Sequence, residues 1–138
     1  MTRNSIIFII IIMMKIIIKI IAVFMISWLF IVSGYDKITS FNDTVSGLHK
    51  KMLFNSLPLI ISQLSMIIAI ILELASPILM VYGIMKDDKR FVMAGAIGLI
   101  VFTVLANIFY HPLNDKTQVM PFIKNTAIIG GLLYITTL

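Results

Sequence analysis

Long apolar runs broken by brief charged or polar stretches set the rhythm of this chain. Residues 6–14 are almost pure isoleucine and methionine, preceded by Arg3 and closed by Lys15. A basic start and a short apolar run resemble a signal peptide, but no small-residue cleavage site follows. A single helix from Ile6 to Tyr35 would be roughly 45 Å long, against about 30 Å of bilayer hydrocarbon. The first membrane span is therefore expected at 16–35. Residues 1–14 become an interfacial extension outside the membrane domain, with Lys15 and Lys19 reaching the headgroups.

Residues 36–57 are the one substantial polar stretch. Gly34, Asn42, Asp43 and Gly47 are turn-forming residues, while Phe41, Val45, Leu48, Met52 and Leu53 recur at helical spacing. That combination predicts an amphipathic segment at the interface between the first two spans. Pro58 suits the start of a helix, and the second span is expected at 58–85. A charged turn, Lys86-Asp87-Asp88-Lys89-Arg90, separates it from a third span at 91–110, which Pro112 ends. After a polar loop the fourth span is expected at 121–138. The predicted fold is all-α: a polytopic membrane protein, one four-transmembrane-helix bundle over residues 15–138.

Composition agrees with lipid as the solvent. The 138 residues are 60% hydrophobic and 12% charged, with a mean hydropathy of +1.09. Soluble domains carry about 25% charged residues, and a chain this short cannot hide so much apolar surface in a water-facing core. The net charge of +5 comes from basic residues at the ends of apolar runs. This suits headgroup contact and argues against nucleic acid as a partner. Counting loop Lys and Arg gives Arg3, Lys15, Lys19, Lys86, Lys89 and Arg90 on one side and Lys37, Lys50, Lys51, Lys116 and Lys124 on the other. That slim majority assigns both termini to the cytoplasmic side. The leaning towards isoleucine, lysine and asparagine suggests an AT-rich bacterial, protist or viral genome, and leaves the host membrane open.

The absence of cysteine removes disulfides, thiolate metal sites and dithiol relays. His49 and His111 stand in loops or at helix ends without metal-ligand spacing, so no metal site is expected. Phosphate-binding loops, nucleophile elbows and metalloprotease motifs are missing too, so an independent enzyme is not expected, and no cofactor is assigned.

Glu73 is the most informative residue, an acid in the middle of a predicted span. Such a group costs about 2.5–3.5 kcal/mol on insertion scales and faces a bundle interior or cavity. Helical periodicity puts Ser62, Ser65, Met66, Ala69, Ser76, Pro77 and Met80 on its face. Ile67, Ile68, Ile71, Leu72, Ile78 and Leu79 fall on the other. Two readings stand: a buried carboxyl hydrogen-bonded to a neighbouring helix, neutral unless Lys37, Lys124 or another cation reaches it, or a ligand- or proton-handling group. Asn107, Tyr110 and Tyr134 are the further candidates for that role, on polar stripes of the third and fourth spans. Ala94 and Gly98 form a small-xxx-small pair for close helix contact.

These features resemble the DoxX family of small membrane proteins. Gly34-Tyr35-Asp36-Lys37 at the end of the first span is similar to the family's glycine followed by a lysine. Glu73, Pro77, Gly83 and Arg90 resemble its central helix pair. Lys124-Asn125 followed by Gly130-Gly131-Leu132-Leu133 resembles its closing segment. The isoleucine-rich start and the heavily charged Lys86-Asp87-Asp88-Lys89 turn depart from the pattern. The resemblance implies a four-helix bundle, and some relatives are companions of quinone-linked oxidoreductases. The expected function is an accessory subunit or membrane anchor near redox or quinone chemistry. Its partners would be the lipid bilayer, an oxidoreductase or a second copy, and a quinone or lipid-like ligand. The alternative is a non-catalytic lipid-binding or structural membrane protein.

Overall fold

The computed structural model describes residues 3–51, 53–111, 113 and 115–137, with side chains from residue 6 onward. Met52 in the amphipathic pattern, Pro112 at the end of the third span, Leu138, and the side chain of Arg3 lie outside the described residues. Within them the chain is all-helical: α1 (Arg3–Thr39), α2 (Phe41–His49), α3 (Leu59–Lys86), α4 (Lys89–Tyr110) and α5 (Val119–Ile135). Three of these, α1, α3 and α4, are long and apolar enough to cross a membrane. The fourth apolar helix, α5, has 17 residues, about 26 Å at 1.5 Å per residue.

Helix α1 runs unbroken through Lys15 for 37 residues, about 55 Å. Nothing between Arg3 and Thr39 breaks a helix, so the expected edge at 14/15 is not a break in the backbone. Residues 6–14 are exposed all round. The turn-forming residues Gly34, Asn42, Asp43 and Gly47 are all helical: α1 continues past Tyr35, and one residue, Ser40, separates it from α2. Helical propensity is a weak prior, and tertiary contact overrides it here. Val45 and Leu48 of α2 are buried with Phe54 and Met66 in a small cluster joined by Phe41, Ile70, Phe109 and Tyr110. The short helix is therefore amphipathic, its apolar stripe on the bundle.

The main core draws on four helices. Val23 and Phe30 of α1 meet Met80 and Ile84 of α3, Val92, Ala96 and Leu99 of α4, and Leu132 and Ile135 of α5. Helix α3 lies against both α1 and α4, α5 packs on α4, and α1 touches α5. The buried residues of α3 are Ser62, Met66, Glu73, Ser76, Pro77, Met80, Gly83 and Ile84, the face that periodicity assigns to Glu73. Ile67, Ile68, Ile71 and Ile78 are exposed, as a lipid-facing side requires. On α4 the close-contact residues are Gly95 and Gly98, while Ala94 is exposed. A Cβ on Gly95 would stand 2.5 Å from the Ser76 carbonyl oxygen. The small-residue pair expected at Ala94 and Gly98 is therefore rotated on the α4 surface.

The α3–α4 turn is tight. Asp87 adopts φ 52°, a left-handed cap that closes α3. Asp88 caps α4 by accepting the Arg90 backbone N–H at 3.0 Å, satisfying one of the donors a helix start leaves open.

Candidate functional site

One face of α1 carries Phe30, Ser33, Gly34 and Lys37, spaced by three, four and seven residues and turned towards α3. Gly34 allows the approach. A Cβ there would stand 2.9 Å from Leu74 Cδ2 and 3.3 Å from Glu73 Cβ. Three residues on, Lys37 reaches across, and its Nζ donates to Oε1 and Oε2 of Glu73, each at 2.9 Å. The same ammonium donates to the Ser33 hydroxyl and lies 5.5 Å from the centre of the Phe102 ring. Phe102 meets Phe30 edge-on, with ring centres 6.1 Å apart.

The pair is asymmetric. The Glu73 side chain is 1% exposed and that of Lys37 18%, so the site can be reached only from the lysine. Carboxylate and ammonium cancel each other's charge where either alone would be costly. Pro77 adds a second polar feature. It stands four residues after Glu73 and has no N–H, so the Glu73 carbonyl lacks its intrahelical donor. Outside the pair, an open groove of about 360 Å³ is lined by Ser33, Asp36, Lys37, Ser40 and Thr44, with Leu29 and Val32 as its apolar part.

Of the cations expected near Glu73, Lys37 makes the contact, whereas Lys124 is exposed on α5. The other candidates are dispersed. Asn107 is buried and accepts from Asn125 Nδ2 at 2.8 Å, tying α4 to α5. Tyr110 is half-buried in the α2 cluster, its ring centre 4.9 Å from Lys51 Nζ. Tyr134 is 70% exposed, away from Glu73 on the outer surface. Gly131 faces Ile26 of α1, while Gly130 has open space around it. Sequence reasoning overlooked Ser33 and Phe102. The four-residue spacing of Ser33 and Lys37 is a usable signal, whereas nothing in the sequence brings Phe102 to Lys37. His49, half-buried, pairs with the fully buried Ser62 at 3.1 Å and pins α2 to α3. Among the described residues no three His, Asp or Glu side chains converge as metal ligands would.

The DoxX family model matches residues 18–112, more than half of the chain. The chain belongs to the DoxX family. Gly34, Lys37, Glu73 and the α3–α4 turn all fall inside the DoxX match, and α5 with Lys124, Asn125, Gly130 and Gly131 follows it. No curated protein and no solved structure matches the chain. DoxX membership and three apolar helices of spanning length make this an integral membrane protein.

Proposed function

We propose that this DoxX protein is a four-span accessory subunit or anchor of a quinone-linked oxidoreductase, and that Lys37, held by the buried Glu73, meets the quinone headgroup. The observation that carries this reading is the Lys37–Glu73 pair itself, buried at the carboxylate and open to the groove at the ammonium. An intramembrane ion pair is expensive and usually functional. A quinone carbonyl oxygen gains negative charge on reduction, and an ammonium held by a carboxylate is a strong donor to it. The partner oxidoreductase would supply the electrons. Leu29 and Val32 give the groove an apolar side for the ring, and its volume lies at the low end of ligand sites, which start at about 300 Å³.

Trp28, the single tryptophan, neighbours the groove residue Leu29 and provides the readout. Titrating a short-chain ubiquinone or menaquinone analogue into the detergent-solubilised protein should quench its fluorescence saturably. The double variant Lys37→Met, Glu73→Gln removes both charges without stranding either. It should weaken binding about tenfold or more, since a charge-assisted hydrogen bond contributes about 1.5–3 kcal/mol. Linear quenching that is the same in both proteins would favour the structural, non-catalytic reading instead.

The four-span count rests on α5, which shares the core with α1, α3 and α4 and is only slightly short of the hydrocarbon thickness. The chain has no cysteine, so Thr2→Cys and Thr136→Cys can be labelled singly in intact cells or vesicles with an impermeant maleimide. Equal accessibility at the two positions is expected. Opposite accessibility would exclude an even number of spans.

A further inference from the structure

The groove of about 360 Å³ beside Lys37 carries a second charged group on its wall, Asp36. The two residues are consecutive on α1, and Ser33, Ser40 and Thr44 line the same groove. An ammonium has three N–H donors. Lys37 gives two of them to Glu73 and the third to the Ser33 hydroxyl, so the third is the one a ring oxygen can take over. Asp36 differs. Its backbone carbonyl accepts from the Ser40 N–H at 2.9 Å and the Thr39 hydroxyl at 3.0 Å. Among the described residues no donor reaches its carboxylate. Glu73 already cancels the Lys37 charge, so Asp36 leaves the groove net negative, which disfavours a phosphate or an anionic headgroup there. A strong donor and an acceptor without a donor thus stand side by side.

Resting on the quinone reading above, we infer that the groove selects the reduced form of the ring. A quinol hydroxyl accepts from Lys37 Nζ in place of Ser33 and donates its own hydrogen to the Asp36 carboxylate. A quinone carbonyl oxygen can take the Lys37 hydrogen bond but has no hydrogen for Asp36, and its lone pairs face a negative charge. A site built to hydrogen-bond a hydroxyl rejects the analogue lacking it for this reason. Asp36 is therefore the specificity-determining residue, while Lys37 serves both forms. Val32 and Leu29, one and two turns deeper in the bilayer than Asp36, put the isoprenoid tail on the hydrocarbon side of the charges. Tighter binding of the quinol also pulls the bound couple towards reduction. A tenfold preference raises its two-electron midpoint potential by about 30 mV.

Isothermal titration calorimetry of the full chain in detergent, under nitrogen, tests the selectivity with ubiquinone-1 and ubiquinol-1 as probes. The wild type should bind ubiquinol-1 about tenfold more tightly, the low end of what one hydrogen bond to a charged group contributes. Asp36→Asn keeps the shape but replaces one acceptor oxygen by a donor amide. It should lose about tenfold in ubiquinol-1 affinity without losing ubiquinone-1 affinity, so that the two forms bind alike. Asp43→Asn, exposed on α2 and outside the groove, should behave as wild type. Redox titration of ubiquinone-1 with excess protein should show the matching shift of about 30 mV, absent in Asp36→Asn. Equal affinity of the wild type for the two forms, or a preference that survives Asp36→Asn, would overturn the selectivity and leave the quinone reading standing. Saturable binding of neither form would overturn both.

Discussion

Lys37→Met is expected to destabilise the protein by about 3–5 kcal/mol, the range found when one partner of a buried ion pair is removed. The reason is the position of Glu73. Its side chain is 1% exposed, and both its oxygens accept from the same ammonium. Methionine matches much of the lysine stem but takes the ammonium away from a carboxyl held in an apolar interior. Adding Glu73→Gln to Lys37→Met should recover most of the loss, because the amide removes the stranded charge and keeps the shape. Denaturant or thermal melts in detergent of the wild type, the single variant and the double variant measure the coupling. If Lys37→Met melts with the wild type, the pair does not hold α1 to α3, and its functional reading loses its structural basis.

Gly95→Ala should cost about 1–3 kcal/mol, the usual penalty for forcing extra atoms into a packed contact. The new methyl would stand 2.5 Å from the Ser76 carbonyl oxygen and 2.7 Å from Met80 Cγ. The first obstacle is backbone, so α3 and α4 must move apart, and this contact belongs to the main core. Gly130→Ala is the matched comparison, with nothing within 4 Å of the added atom. It should be neutral or stabilising by up to about 1 kcal/mol through helix propensity. Melting both variants in the same detergent separates the packing effect from propensity. Equal behaviour of the two would mean that the α3–α4 contact yields without cost.

The all-helical membrane character, the lipid-facing and buried sides of α3, the singular position of Glu73 and the family were legible from the residues alone. Each rests on a local property: apolar run length against bilayer thickness, the 3.6-residue period, and the cost of a carboxylate in hydrocarbon. Individual residues could not reveal what faces them from another helix. Lys37 and Glu73 are 36 residues apart, and only the close approach at Gly34 makes Lys37, rather than Lys124, the partner. The same holds for Phe102, which closes over Lys37, and for Tyr134, whose polar stripe turned outwards. On α4 the spacing of Ala94 and Gly98 identified small residues, but the rotation that turns Gly95 into α3 is set by how the Ser76 and Met80 turn fits against it. Helix α1 continued through Gly34 and Lys15 because its backbone hydrogen bonds are satisfied within the helix whatever the side chains suggest about its ends. Local chemistry determined which groups the protein had to bury or expose; interhelical packing, which depends on all four helices at once, decided which of those groups meet.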